Sequence, residues 1–404
     1  MSIGRGYSET DGASLLSAAQ DDHAGVVELT RSLVRVPSRG GIDAYEPVLA
    51  VLEGWLASAG LPNRRLVGPD GEDVGLVCEI PGGRPGPRVV VDACVDTAPF
   101  GDEDAWQDPP TSAAVHGDWL YGRGTADSKC GASIFLHLAA RLAPLAHRLR
   151  GEFVVLLDAY EHTGDFSGAK AYVADAAARG GVDGVMIGYP GADHVVIGGR
   201  GVLRARLDVH GVAAHSGGRS ASPNAISKAA ALITALDVPL GDEVDSGFGL
   251  PARLSVTEIH GGQGYSQTPD LARVHVDVRL TPRFDQDAAL ALLRARVGRV
   301  DADWPGTEAT DVHVEMSWPP YRLPDDHRLS TALLKAAHDV GLQTSPKVAG
   351  PSNIGNYLAG QGVACTAGFG VDYFGLHATD ERIRLSSIAP VQAAYHRAVL
   401  ELLR

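Results

Sequence analysis

Residues Phe153–Gly164 read FVVLLDAYEHTG. The run Phe153 to Ala159 is apolar enough to lie inside an α/β sheet, and it closes on Glu161 and His162. Ligand and catalytic groups of such sheets gather at the carboxyl ends of strands. A carboxylate can act there as a base, and an imidazole can bind metal. The competing reading leaves both side chains simply solvated at a strand end.

On either side of this strand the pattern is that of a layered sheet. Val74–Ile80 and Arg88–Ala93 are expected as strands flanking the turn PGGRPGP, a helix fits Cys130–Leu145, and strand and helix alternate onward to Ile187. Residues 23–60 read as two amphipathic helices, the first over His23–Val36, with Pro37-Ser38-Arg39-Gly40-Gly41 as the break. After Gly198 the order changes to strand (Val202–Val209), helix (Pro223–Leu236), strand (Ala252–Ile259), strand (Ala272–Leu280), helix (Asp287–Val297) and strand (Val312–Met316). That block reads as a separate α+β sandwich of about one hundred residues, a common domain size. Trp318-Pro319-Pro320 closes it, and helix-and-strand alternation resumes from Asp326 to Arg404. The expected organisation is therefore a flexible tail (1–22), a larger domain (23–198 and 317–404) and an inserted domain (199–316). A chain of 404 residues exceeds what one core usually organises, which agrees with two domains.

Composition narrows the function. A net charge of −14 disfavours nucleic acid and anionic membranes, because binding phosphate needs a basic surface. Apolar runs are short and interrupted, so no membrane span is expected. The first twenty residues, MSIGRGYSETDGASLLSAAQ, lack the basic start and long apolar stretch of a secretion signal. Cys78, Cys94, Cys130 and Cys365 lie far apart with no CxxC pair, which fits a reducing cytoplasm. A small-molecule substrate is the expectation.

Four further segments carry chemistry. VVVDACVDTA (89–98) ends a buried strand on Cys94-Val95-Asp96, where alternation points Cys94 and Asp96 the same way. In WLYGRGTADSKCG (119–131), Asp127 follows a glycine-rich bend and precedes a helix, where a carboxylate could also be only an N-cap. AAHSGGRSASPNAI (213–226) carries His215 in the insert, and FGLHATDERI (374–383) places His377 in a loop before the final helix.

In this order and spacing the segments resemble the co-catalytic metallopeptidases and deacylases, the family of acetylornithine deacetylase, succinyl-diaminopimelate desuccinylase, aminoacylase, carnosinase and bacterial glutamate carboxypeptidase. The resemblance spans about residues 23–400, and GRGTADSK and AAHSG…NAI are its most specific pieces. It implies a zinc-peptidase-like three-layer α/β/α catalytic domain, interrupted by an α+β lid that forms a homodimer interface. Family members hold two zinc ions with a bridging Asp, two His and two more carboxylates, and a Glu serves as base. Carried over, Asp127 matches the bridging Asp, His377 the C-terminal His ligand and Glu161 the base. His215 matches the lid His that reaches the partner's site to stabilise the oxyanion. Asp96 matches the carboxylate that orients the first His ligand. Arg279 matches a lid arginine used for substrate, with a structural ion pair as the other reading.

Three metal positions depart from the family. Cys94 stands for the first His ligand, His162 for the second Glu of the usual pair, and Tyr189, in IGYPG, for an acidic ligand. The first metal would see Cys94, Asp127 and Tyr189; the second would see Asp127, His162 and His377. Two imidazoles, one carboxylate and an open position suit catalytic zinc, and also other divalent ions. A phenol with a pKa near ~10 is a reluctant ligand at neutral pH, so one ion is expected rather than two. Zn2+ comes first, with Mn2+, Co2+ or Fe2+ as alternatives. Cys94 then reads as a small buried core residue before a ligand, and Tyr189 as a hydrogen-bonding or substrate-stacking group.

Asn353, in AGPSNIGNY, stands where relatives often have an Asp. Gly368, in Ala367-Gly368-Phe369-Gly370, would help present backbone donors to a substrate carboxylate. Ser266 and Gln267 stand where many relatives carry Asn, His210, His260 and His275 read as lid surface or strand residues, and Glu381 would support the His377 loop. The leading expectation is a metal-dependent amidohydrolase or peptidase acting on a small N-acyl amino acid or dipeptide-like substrate bearing a carboxylate. A non-hydrolytic cyclisation or acyl transfer on the same scaffold, and a ligand-binding pseudoenzyme, are the alternatives.

Overall fold

A computed structural model describes residues 12–404 apart from 220, 238, 242, 243, 245 and 246. The chain forms two compact units, one running to Ile197 and including Leu323–Lys347 and Gln361–Arg404, the other made of Gly198–Arg322 and Val348–Gly360. The first is α/β and the second α+β.

The first unit is built on a six-stranded sheet in the order Arg64–Val67, Asp73–Pro81, Arg150–Asp158, Arg84–Cys94, Gly184–Ile187, Cys365–Ala367. The last four run parallel, and their centre is the continuous apolar sequence expected of strands covered on both faces. Val89, Val91 and Ala93 share a core with Leu29 and Leu33 of helix Gly12–Val34, Phe135 of Cys130–Leu142 and Val399 of Ile388–Leu402. Strand alternation turns Cys94 to the other face. The predicted turn contracts to Gly82-Gly83, because the strand begins at Arg84 and absorbs Pro85 and Pro87 in a register shift between Arg84 and Arg88.

The first helix starts at Gly12, eleven residues ahead of the expected His23. Leu15, Ala19, Val26, Leu29 and Leu33 recur at helical spacing and are buried, so residues 12–22 belong to the packed helix rather than to a tail. The acidic Asp22, which obscured the pattern, is matched by Arg141 at 2.8 Å and accepts from Gln392 at 2.7 Å. Residues 1–11 of the expected tail lie outside the described residues. No helix among the described residues is long and apolar enough to cross a membrane.

The second unit is an antiparallel sheet in the order Arg253–Gly261, Leu271–Leu280, Gly201–His210, Asp311–Trp318. Leu203, Ala205, Leu207 and Val209 face helices Ala225–Leu236 and Gln286–Ala302, while the alternate residues Arg204, Arg206 and Asp208 form the charged face. The loop Val348–Gly360 joins this unit because Asn356 Nδ2 donates to the carbonyls of Gly199, Arg200 and Pro319. Beneath the sheet the fully buried Lys228 pairs with Asp301 at 2.8 Å. Burial by itself raises the Asp301 pKa, but hydrogen bonds from Lys228 and Thr310 bring it below the ordinary value.

Asp301→Asn leaves that ammonium buried without its counter-charge and is expected to cost about 3 kcal/mol. Hydrogen exchange in Gly201–His210 and Leu271–Leu280 should accelerate, while Arg84–Cys94 stays protected. Because the folded-state pKa of Asp301 is depressed, the difference between wild type and variant is full above about pH 4 and shrinks as pH falls through the folded value.

Candidate metal centre

The parallel register that sets Cys94 opposite Asp158 also sets two chain ends side by side. Val95 N–H donates to the Asp158 carbonyl at 2.9 Å, and the chain beyond Asp158 turns at Tyr160, whose φ is +69°. That turn is fixed from the neighbouring strand. The buried Asp96 carboxylate accepts from the Glu161 N–H at 3.2 Å and the His162 N–H at 2.9 Å. Asp96 thus orients residues 161 and 162, whereas the resemblance implied that it orients a ligand at position 94. Cys94 has no second ring nitrogen to hold, and its Sγ instead donates to Asp127 Oδ1 at 3.5 Å.

Asp127 comes from the irregular turn Thr125–Lys129, with φ −124° and ψ 93°. His377 comes from a loop 250 residues later and has φ +59°. A non-glycine residue in that region costs about 1–3 kcal/mol, so its surroundings must hold it. Glu381 supplies the hold. Its buried carboxylate accepts from Arg123 Nη1 at 2.6 Å, from the N–H groups of Gly124 and Ala126 at 2.9 and 3.1 Å, and from the His377 N–H at 3.3 Å. Arg123 Nη2 closes the loop on the His377 carbonyl at 3.0 Å.

Three donor atoms converge as a result. Asp127 Oδ2 lies 3.0 Å from His377 Nε2 and 3.5 Å from His162 Nε2, and the two Nε2 atoms are 3.3 Å apart. Bonds of the usual zinc–nitrogen and zinc–oxygen length put neighbouring ligand atoms of a tetrahedral site about 3.3 Å apart. The triangle therefore fits one small divalent ion. His162 and Asp127 are nearly buried while His377 is half-exposed, which leaves the remaining coordination direction accessible. Cys94, Asp96 and His162 also bring donor atoms within 4.8 Å of one another, and His162 Nδ1 lies 3.6 Å from Asp96 Oδ2.

The field here favours positive charge. Burial alone would lower the His162 pKa, but Asp127 and Asp96 push it up to about 11. Asp127, although buried, is held well below the carboxylate range by His162 and His377. Glu161 is pushed up to about 7 by burial and by the Asp127 charge. Its Oε1 accepts a 2.7 Å hydrogen bond from the Tyr189 hydroxyl, whose own pKa is raised by burial and by Glu161. The Cys94 thiol is likewise pushed up by burial and by Asp127. Gly368 packs behind Tyr189: its φ is +145°, and a Cβ there would lie 3.1 Å from Val196 and 3.7 Å from Tyr189.

The other expected site residues belong to the second unit. His215 is exposed on a two-residue strand paired with Gln267, and its Nδ1 accepts from the Gly217 N–H at 3.0 Å. Ser266 contributes its carbonyl to the Ser216 N–H. Arg279 is paired with Asp277 at 2.7 Å and reaches the Ser352 hydroxyl at 3.3 Å. Asn353 Oδ1 accepts from the Gly355 N–H at the start of helix Ile354–Gly360. Two residues escaped the sequence reading. Arg123 carries no motif beyond its place in GRGT. Arg200 donates to the carbonyls of Gly350 and Pro251, and no carboxylate lies within ion-pair range of it among the described residues. Its signal in sequence was an arginine between two glycines, Gly199 and Gly201, at the domain junction.

Glu381→Gln removes the charge that fixes Arg123 and the His377 loop. Metal affinity should fall about 10- to 100-fold, as for other groups that orient ligands, read by competition with a fluorescent chelator. Unchanged affinity would show that the loop does not depend on Glu381.

Comparison with known proteins places the chain in a family. The model of peptidase family M20/M25/M40 matches residues 93–401. A succinyl-diaminopimelate desuccinylase of Nitrobacter hamburgensis is 33% identical over 296 residues, covering 69% of this chain and 74% of the relative. Aminopeptidase PepT of Bacillus cereus shares the fold with a TM-score of 0.75 at 19% identity, over 94% of this chain and 98% of that one. The Bacillus subtilis YXEP protein, a dinuclear metal-binding peptidase of the M20 family, does so with a TM-score of 0.70 at 16% identity, over 95% and 99%. The chain belongs to peptidase family M20/M25/M40 and is a metal-dependent hydrolase acting on carbon–nitrogen bonds.

Proposed function

We propose that this hydrolase cleaves the amide bond of a small N-acyl amino acid or dipeptide-like substrate with one divalent ion, Zn2+ before Mn2+, Co2+ or Fe2+, held by Asp127, His162 and His377. The observation that carries the reading is the donor triangle of 3.0, 3.3 and 3.5 Å with Glu161 beside it. When bound, the ion supplies Lewis acidity that polarises a carbonyl and acidifies water. Glu161 takes the proton of the attacking water as the carbon–oxygen bond forms, then passes it to the amine nitrogen as the carbon–nitrogen bond breaks.

His215 serves as oxyanion donor in this reading. The Gly217 N–H occupies its Nδ1, so the proton sits on Nε2, on an exposed side chain. It acts across a homodimer formed through the lid unit. A substrate carboxylate is taken by Arg200 and Arg279, the former without a carboxylate partner among the described residues. Gly368 shapes the wall behind Tyr189, and Asn353 orders the loop that carries Ser352. The name of the curated relative, a desuccinylase, supports an N-acylated amino acid. The net charge of −14 supports a small-molecule substrate over nucleic acid, and four cysteines without a CxxC pair support a cytoplasmic location.

Purified protein should hold one tightly bound ion per chain, and two would overturn the one-ion reading. On a panel of N-acyl amino acids and dipeptides, wild type should release free amine, and Glu161→Gln should lose about 10²–10⁴-fold in kcat with unchanged metal content. Product formed without consuming water would instead identify cyclisation or acyl transfer. His215→Ala should lose about 10²–10³-fold. Mixing His215→Ala with Glu161→Gln chains should restore activity if His215 works across the dimer, and should leave the mixture inactive if it works within one chain.

A further inference from the structure

The Glu161 carboxylate sits at the end of a flexible side chain, and among the described residues one hydrogen bond holds it. Tyr189 donates its hydroxyl to Oε1 at 2.7 Å, from a loop 28 residues away. The other oxygen, Oε2, accepts no hydrogen bond among the described residues and lies 3.4 Å from Nδ1 of His162, the ring nitrogen outside the donor triangle. Tyr189 is itself fixed. Gly191 N–H donates to the Val371 carbonyl at 2.9 Å and Gly370 N–H to the Gly191 carbonyl at 3.0 Å. A Cβ on Gly370 would come within 2.5 Å of the Tyr189 carbonyl, so the segment 368–370 closes tightly behind it.

Asp127 is divided in the same way. Its Oδ1 accepts from Ser128 Oγ at 2.8 Å and Cys94 Sγ at 3.5 Å, and its Oδ2 faces both imidazoles. On this side of the cluster a hydroxyl, a thiol and a phenol each donate to a carboxylate oxygen. Each leaves its partner's second oxygen for the imidazole side.

We infer that Tyr189 is a positioning residue for amide hydrolysis: by donating to Oε1 of Glu161 it commits Oε2 to proton transfer. The inference rests on the hydrolase reading above. The water proton moves to Oε2 as the carbon–oxygen bond forms and leaves to the amine nitrogen as the carbon–nitrogen bond breaks. The phenolic proton stays on Tyr189 throughout, so a phenol that never gains or loses charge can do the work. Tyr189→Phe keeps the ring and its packing and deletes the one donor.

The test is a double-mutant cycle of Tyr189→Phe and Glu161→Gln in zinc-loaded protein, read by calorimetric binding of acetohydroxamic acid and by turnover. A hydrogen bond to a charged group is worth about tenfold to a hundredfold. Tyr189→Phe should weaken hydroxamate binding by that factor and lower kcat comparably, with KM and metal content nearly unchanged. In the Glu161→Gln background the same substitution should change neither readout. A Tyr189→Phe protein that matches wild type overturns the inference. So does one whose loss is the same in both backgrounds, because Tyr189 would then act independently of Glu161. If wild type turns over no N-acyl amino acid or dipeptide, the proposed substrate reading falls, while the hydroxamate cycle still decides the coupling between Tyr189 and Glu161.

Discussion

The Glu381 carboxylate, buried and accepting four hydrogen bonds, is the constraint on which the centre depends. It ties the bend before Asp127 to the loop carrying His377, two segments with no local reason to meet. Burial raises the pKa of this group, and Arg123 opposes that rise. Taking one partner from such a buried pair strands the other. The left-handed backbone of His377 is sustained by the same network, from its N–H through Glu381 and from its carbonyl through Arg123.

A second constraint comes from the sheet. Parallel pairing of Arg84–Cys94 with Arg150–Asp158 sets Asp96 beside the turn that presents Glu161 and His162. The same pairing buries Asp92 and Asp158 on the face shared with Cys94, where burial pushes Asp92 up to about 8 and Asp158 up as well. The region is therefore rich in carboxyl groups, and the imidazoles of His162 and His377 are the nitrogen donors placed beside them. A divalent ion fits that balance, as the donor spacing independently indicates.

Much of the architecture was legible in sequence. Alternation in Val202–Val209 and Ala272–Leu280 marked the sandwich strands, because one face meets helices and the other meets water. The apolar run at Phe153 marked a central strand for the opposite reason, since both of its faces are covered. The start of the first helix was not legible. Asp21, Asp22 and His23 look like a helix beginning or a loop until Arg141 and Gln392 are seen to receive Asp22. Nor could spacing assign the loop Val348–Gly360 to the second unit, because the three carbonyls that capture Asn356 belong to residues 37 to 157 positions away.

By itself, then, the sequence determined which elements form and which residue types are on hand for chemistry, because both depend on periodicity and local composition. It set out Glu161, His162, Asp127 and His377 through their motifs, and marked Cys94 and Tyr189 as departures from the family pattern. Only the tertiary structure decided how these groups are paired. Asp96 holds the backbone of 161 and 162 rather than a side chain at 94, Cys94 donates to Asp127, and Tyr189 donates to Glu161. Such pairings hang on differences of about an ångström in the separation of segments 28 to 66 residues apart. Hydrogen-bond strength falls steeply over that distance, and no one-dimensional pattern encodes it.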